Sequence, residues 1–190
     1  NRYYTGYGFT PVFHPTRLHI PIHMTRPAEA VTHIGAKNVF VCSMADLFGK
    51  WVPEEWIQAV IQACTDAPQW NFLFLTKFPA RLAHFTFPDN AWVGTSVDAQ
   101  ARVAAAEKAF RNVTAKVKWL SCEPLCEPLT FSSLDMFQWI VIGGASKSAQ
   151  TPEYRPPRRW VIGLEAQADR AGCRIYEKTN LHGERRVEYP

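Results

Sequence analysis

The sequence lacks any long hydrophobic run, and this excludes one class of protein. None of its apolar stretches approaches the roughly 20 residues that a membrane-spanning helix needs. The layout of a secretory signal peptide is missing as well. The chain begins with Asn1 rather than methionine, and we expect that a further segment precedes it.

A strong excess of one charge is also missing. The chain has 21 Lys and Arg residues against 17 Asp and Glu residues, which gives a formal net charge of +4. The cations are scattered, with small clusters at Arg155, Arg158 and Arg159 and at Arg185 and Arg186. A solvated surface accounts for this charge most simply. A nucleic-acid or nucleotide partner is permitted but is not required.

The five cysteines do not form a complete disulfide set, because their number is odd. Cys42, Cys122 and Cys173 fall in strands that we predict to be buried. We therefore predict free thiols and a reducing, cytoplasmic environment. Cys122 and Cys126 have the spacing C-x3-C, but no further cysteine completes a metal-binding set. No metal ligand is assigned within the chain.

Six short apolar runs, each followed by polar residues, provide the main structural signal. Such runs, separated by segments with helical spacing, are typical of parallel strands buried on both faces. The predicted strands are 39–42, 71–75, 91–96, 116–122, 138–142 and 173–177. The predicted helices are 79–84, 98–111, 157–171 and one that begins at Pro53 and ends before Ala67. This indicates an α/β fold of 190 residues, too short for a standard eight-unit barrel of about 250.

Residues 1–37 differ from the rest because they are rich in tyrosine, proline and histidine. Their prolines forbid a long helix, so we predict an extended arm that packs on the domain. The histidines of this segment lack the spacing of a metal site. We predict one domain over 1–190, in which 38–190 carries the βα units.

Polar residues at the carboxyl ends of the strands are the candidates for a site, because parallel sheets and barrels bind ligands there. Glu123 follows the fourth strand directly and could accept hydrogen bonds from a ligand or act as an acid or base. An ion pair with a nearby lysine is the alternative. Lys77 and Lys178 each bring an ammonium group that suits a carboxylate or phosphate. Structural pairing with Glu123 or Asp46 explains these lysines equally well.

The remaining strand ends carry weaker signals. Asp46 lies in an apolar loop that we expect to fold over the mouth of the sheet. Thr95 and Ser96 could bind a ligand through their hydroxyl groups or could serve only to begin the next helix. Gly143 and Gly144 allow a ligand to approach the backbone or simply make a tight turn. None of the seven tryptophans is assigned to stacking with a base.

Six segments, taken together and in order, resemble a known family. They are 40–49 (FVCSMADLFG), 52–53 (VP), 74–79 (FLTKFP), 92–97 (WVGTSV), 121–125 (SCEPL) and 141–144 (VIGG). The resemblance covers nearly the whole chain. It is to phage and bacterial gp-type proteins of unknown function, which are distantly similar to radical S-adenosylmethionine (SAM) enzymes such as spore photoproduct lyase.

The resemblance implies a partial TIM-like barrel that binds SAM and a [4Fe–4S] cluster, with the cluster's cysteine ligands upstream of Asn1. Position by position, the residues that would line the cofactor pocket are Thr95, Ser96, Ser121, Glu123, Gly143 and Gly144. Lys77, Asp46 and Lys178 would face the substrate or the carboxylate of SAM. Glu123, Lys77 and Asp46 are the catalytic candidates, and Lys178 is counted with the cofactor-binding residues.

Three functions remain open from the sequence. The first is a radical SAM-type enzyme whose substrate could be a nucleic acid or nucleotide. The second is a non-catalytic binding or regulatory protein that keeps the barrel without the cluster chemistry. The third is a hydrolase or lyase that uses Asp46, Glu123 and the lysines without iron. The sequence does not indicate an oligomeric state.

Overall fold

The fold is built on one parallel sheet. The computed structural model describes residues 11–149, 152–181 and 183–190. Its strands are β1 (Asn38–Phe40), β2 (Asn71–Thr76), β3 (Ala91–Ser96), β4 (Val117–Cys122), β5 (Trp139–Ile142) and β6 (Arg174–Glu177). Each strand pairs in parallel with the strand before it, in the order β1-β2-β3-β4-β5-β6. The sheet curls into a half-barrel, which confirms the prediction of an α/β partial TIM-like barrel.

Helices and single helical turns connect the strands. The α-helices are α1 (Ile20–His23), α2 (Glu54–Thr65), α3 (Val103–Phe110) and α4 (Arg158–Ala171). The 3-10 turns are Pro15–Arg17, Ala28–Val31, Ile34–Lys37, Pro79–His84 and Gln100–Arg102. Over the described part of the chain, none of the helices has the length and apolar character of a membrane crossing.

The helix predicted over 98–111 is shorter in the structure and begins with a separate 3-10 turn. Gln100 in this turn is held by the loop after β4, because its backbone N–H donates to Glu127 and its side-chain amide bonds to the backbone of Thr130. Asp98 also pairs with Arg102, with 2.6 Å between their side-chain atoms. These contacts fix the turn, so that α3 begins only at Val103.

The first strand ends earlier than predicted, and one cysteine is therefore not buried. Val41 still donates its N–H to the carbonyl of Leu73, but Cys42 has a positive φ of 53° and turns the chain out of the sheet. The prediction that Cys42 is buried is wrong, since its side chain is exposed. Cys122 at the end of β4 and Cys173 just before β6 are buried, and all five cysteines are free.

The segment before β1 consists of single helical turns, none longer than four residues. It packs on the domain through Phe13, which stacks on Trp56 at 5.2 Å between ring centroids. The Trp70 indole N–H also donates to the carbonyl of Pro21 over 2.9 Å. The part of the predicted arm in residues 1–10 lies outside the described residues, and the boundary at Lys37 stays a prediction.

The two faces of the sheet have different surroundings, because side chains alternate along each strand. The convex face packs against the helices, and its core includes Phe48, Phe74, Phe110, Leu120, Ile140 and Leu164. The concave face carries a separate apolar cluster of Leu73, Trp92, Val117, Trp119, Trp139 and Val141.

The chain after β6 folds back and covers the edge of that strand. Val187 forms an antiparallel bridge with Tyr176, and Glu188 exchanges hydrogen bonds with Ile175. Tyr189 then lies edge-on against His33, with ring centroids 5.6 Å apart. The residues that precede β1 thus contact those that follow β6.

A network of ion pairs holds this returning segment. The fully buried Glu177 pairs with Arg158 of α4 over 2.5 Å and accepts the N–H of Arg186 over 2.8 Å. Arg186 in turn pairs with Asp169 and Glu188, each over 2.9 Å. Burial alone would raise the pKa of Glu177, but the backbone N–H of Arg186 and the guanidinium of Arg158 outweigh it and hold the pKa below its usual value.

The substitution Glu177→Gln is expected to lower the stability at neutral pH and to leave it nearly unchanged in acid. A depressed carboxyl pKa stabilises the fold above the unfolded pKa, near 4.5, and this contribution is lost as the pH falls through the folded pKa. Urea unfolding of both chains from pH 7 down to pH 3 checks this. A stability difference that grows towards low pH would contradict the assignment.

Candidate functional site

The concave face of the half-barrel contains a groove of about 460 Å³. This concave groove runs from Gly35 and Tyr189 at one end to Ser121, Glu123 and Lys178 at the carboxyl ends of the strands. Its volume lies in the range of small-molecule and cofactor sites. The groove therefore extends to the edge of the sheet where the sequence predicts a site.

The floor of the concave groove is apolar. Leu73, Leu75, Trp119, Trp139 and Val141 line it. The two indole N–H groups are already satisfied, because Trp119 donates to the carbonyl of Trp92 over 3.1 Å and Trp139 donates to that of Glu188 over 2.8 Å. A ligand in the groove thus meets rings and methyl groups rather than free hydrogen-bonding groups.

One ion pair stands at the carboxyl end of the concave groove. Glu123 and Lys178 follow β4 and β6 on the inward-facing positions, and 3.1 Å separates Lys178 Nζ from Glu123 Oε2. Their side chains are 27% and 43% exposed, so both remain accessible to a ligand. The pairing of Lys178 with Glu123, one of the alternatives left open by the sequence, is present in the structure.

Glu123 follows β4 and Lys178 follows β6, and Gly143, which follows β5 between them, leaves room for the two side chains to meet. A Cβ atom on Gly143 would lie 3.0 Å from both Glu123 Oε1 and Lys178 Cγ. Any larger residue at this position would have to displace one of the two side chains. The glycine therefore keeps open the space in which Glu123 and Lys178 meet.

Two hydroxyl groups lie on the same face of the sheet as the ion pair. Ser121 is buried and lines the concave groove, and Ser96 is its partner in the β3–β4 register. Tyr189 supplies a third hydroxyl at the far end of the groove. Burial, and then the charge and hydrogen bond of Tyr176, raise the pKa of Tyr189.

Asn180 is a residue of this region that the sequence analysis missed. Its side-chain amide holds Gly144 from both sides, since Oδ1 accepts the Gly144 N–H over 2.9 Å and Nδ2 donates to the Gly144 carbonyl over 2.8 Å. Gly144 also lies against the Tyr154 backbone, where a Cβ would clash. Asn180 follows Lys178 in a short turn, and no spacing in the sequence distinguishes it from a solvated asparagine.

Asp46 and Thr95 lie away from the concave groove. Asp46 accepts three hydrogen bonds, from the Thr76 hydroxyl over 2.7 Å, from the Lys77 N–H over 2.8 Å and from the Phe48 N–H over 3.0 Å. The Thr95 hydroxyl donates to the Thr76 carbonyl over 2.7 Å and is buried on the convex side. Both residues tie strand ends and a loop together.

The structure thus divides the predicted site residues into two groups. Ser121, Glu123 and Lys178 line the concave groove. Gly143 lies against the last two, and Ser96 pairs with Ser121 in the register of β3 and β4. Gly144 is held by Asn180. Those placed elsewhere are Asp46, Thr95 and the exposed Lys77. Their roles in binding or catalysis stay predictions.

The described residues do not fit an iron–sulfur cluster. In the ranges 11–149, 152–181 and 183–190 no three His, Cys, Asp or Glu side chains form a group that could hold a metal ion. Burial raises the pKa of the Cys64 thiol to about 12 and that of Cys173 to about 11, and it also raises the pKa of Cys122. Burial thus disfavours the thiolate form that metal ligands require in these three cysteines. The cluster ligands expected upstream of Asn1 stay a prediction.

The comparisons with known proteins give a family but no activity. The model of a family described as "Protein of unknown function (DUF5131)" matches residues 3–185. The comparisons with curated proteins and with solved structures found no match. The family description states no relation to radical SAM enzymes or to phage proteins, so that part of the resemblance stays a prediction.

Proposed function

We propose that this chain, which belongs to the DUF5131 family of proteins of unknown function, binds S-adenosylmethionine in its concave groove. One observation carries the proposal, namely the accessible pair of Glu123 and Lys178 around Gly143. The amino-acid end of SAM carries an ammonium and a carboxylate on the same carbon. The pair offers the opposite charges a few ångströms apart, so one zwitterion can satisfy both side chains.

A ligand that replaces the contact between Glu123 and Lys178 loses little free energy by doing so. Partly exposed salt bridges contribute about 0–1 kcal/mol, because solvent screens them and two long side chains must be ordered. Glu123 can accept hydrogen bonds from the ligand's ammonium while Lys178 donates to its carboxylate. Such charge-assisted hydrogen bonds are stronger than neutral ones.

The rest of the concave groove suits the rest of the molecule. The apolar floor of Leu75, Trp119 and Val141 can take the adenine ring and the methylene groups. Ser121, and Ser96 beside it, can bond to the ribose hydroxyl groups. Gly143 leaves the space that lets Glu123 and Lys178 lie side by side at the amino-acid end of the ligand.

The proposal covers the binding of SAM and leaves catalysis as an extension of it. A [4Fe–4S] cluster with an external electron donor would supply the reductive cleavage of SAM, but the described residues do not hold that cluster. Binding without catalysis is the alternative. The five free thiols support a reducing, cytoplasmic location for either function.

A series of ligands tests the proposal on the unmodified chain. Radiolabelled SAM is expected to bind in equilibrium dialysis. Removal of the ligand's carboxylate, as in decarboxylated SAM, and removal of its α-amino group are each expected to weaken binding about tenfold or more. A hydrogen bond to a charged group contributes about 1.5–3 kcal/mol, and 1.4 kcal/mol is a factor of ten.

The matched control is the variant Lys116→Met. Lys116 also forms an ion pair, with Asp89 over 3.7 Å, but this pair lies just before β3 and β4, at the opposite edge of the sheet. The control should bind every ligand like the unmodified chain. Equal affinity for SAM and for the analogue without a carboxylate would refute the proposal, and so would the absence of SAM binding by the folded protein.

A further inference from the structure

Trp51 stands out among the seven tryptophans because its ring is in solvent. Its exposed fraction is 58%, whereas the other six are buried or half-buried. It lies in the loop between β1 and α2, at the carboxyl edge of the sheet. An exposed indole in a loop is either mobile or held in place, and its contacts decide which.

The contacts of Trp51 hold it in place. The ring lies against Gly49, where an added Cβ would be 2.5 Å from Trp51 Cε2, and it packs edge-on against Phe78 with centroids 5.4 Å apart. The Arg81 guanidinium donates to the carbonyls of Gly49 and Val52, on either side of the tryptophan. Arg81, which follows β2 in the chain, thus fixes the backbone on both sides of Trp51.

Two exposed lysines are chain neighbours of Trp51 and of Phe78. Lys50 precedes Trp51 in the chain, and Lys77 precedes Phe78, whose ring touches the indole. Asp46 is occupied by its three hydrogen bonds, but Glu54 and Glu55 follow in the first turn of α2 and limit the net positive charge. Stacking on the ring must therefore contribute more than attraction to phosphate.

We propose that Trp51 is a stacking platform for a base of single-stranded nucleic acid, with Lys50 and Lys77 contacting the adjoining phosphates. A fixed aromatic ring with flanking cations is the combination that binds single strands, because every base has a flat π face. The ring lies outside the concave groove. This site goes beyond the proposed SAM site and does not depend on it.

Fluorescence anisotropy with a labelled 12-nucleotide single strand tests the inference on the full chain. Trp51→Ala is expected to weaken binding by about 5- to 150-fold, the range for loss of one stacked base. Trp51→Phe should retain most of the affinity. Lys50→Met and Lys77→Met should each reduce the slope of log K against log salt by about 0.7.

Two control variants distinguish stacking on Trp51 from non-specific hydrophobic binding and from non-specific charge attraction. Ile162→Ala removes another exposed apolar side chain, 52% exposed on α4, and Lys116→Met removes an exposed lysine elsewhere. Both should bind the single strand normally. A duplex of the same sequence should bind more weakly, because its bases are already stacked.

Four results would overturn the inference. The first is that the single strand does not bind at low salt, and the second is that Trp51→Ala and Ile162→Ala bind it with equal affinity. The third is that duplex and single strand bind equally. The fourth is that Trp51→Ala changes the solution mass of the protein without changing the anisotropy. The last result would make Trp51 a protein contact instead. Binding of SAM by Trp51→Ala should be unchanged, so this test and that of the SAM site fail separately.

Discussion

The variant Glu123→Gln is expected to bind SAM about 10- to 100-fold more weakly than the unmodified chain. Glutamine keeps the size of the side chain and one carbonyl oxygen but removes the negative charge that faces the ligand's ammonium. A hydrogen bond to a charged partner contributes about 1.5–3 kcal/mol, which sets the size of the effect. Isothermal titration calorimetry with SAM measures it directly.

A second ligand tests separately whether Glu123 binds the ammonium of SAM and whether Lys178 binds its carboxylate. Decarboxylated SAM keeps the ammonium and lacks the carboxylate, so its affinity should fall in Glu123→Gln but should hardly change in Lys178→Met. SAM itself should lose affinity in both variants. If Lys178→Met weakened the two ligands equally, Lys178 would not bind the carboxylate and the proposed orientation would be wrong.

Stability measurements show whether a loss of SAM binding in either variant results from unfolding rather than from the lost contact. Glu123 and Lys178 are 27% and 43% exposed, so each variant should change the free energy of unfolding by no more than about 1 kcal/mol. A large loss of stability in either variant would mean that the pair supports the fold.

The sequence predicted the parallel strands and one side of the site because both follow from local patterns. Parallel strands that alternate with helices place all their carboxyl ends at one edge, and Glu123 and Lys178 were assigned to that edge. Side-chain alternation within a strand also decides which face a residue joins. Thr95 and Ser96 are adjacent, so they lie on opposite faces, and only Ser96 joins the face of the concave groove.

The rest of the site depends on contacts between distant parts of the chain. Asn180 holds Gly144 across 36 residues, and Tyr189 meets His33 and Gly35 only because the chain folds back along β6. Trp51 was not assigned to stacking, since a tryptophan in a sequence is usually part of a core. Its exposure follows from the path of the loop, which the clamp by Arg81 determines.

Asp46→Ala is expected to destabilise the fold by about 2–4 kcal/mol. The substitution removes the acceptor of three hydrogen bonds, and the Thr76 side chain is 1% exposed, so water does not readily replace the lost partner. Urea denaturation gives the change as a shift of the midpoint at constant slope. Asp89→Ala, at a side chain that is 90% exposed, is the matched control and should stay within about 0.5 kcal/mol.

Asp46→Asn distinguishes this structural role from the catalytic role predicted by the sequence. The asparagine can keep Oδ1 as acceptor for Thr76, but its NH₂ group would face the N–H of Lys77, so an intermediate loss of stability is expected. A catalytic carboxylate would instead lose activity with unchanged stability. Because Asp46 fixes the loop that carries Ser43 into the concave groove, Asp46→Ala should also weaken SAM binding, but less than Glu123→Gln does. A stable Asp46→Ala variant that binds SAM normally would contradict the structural role.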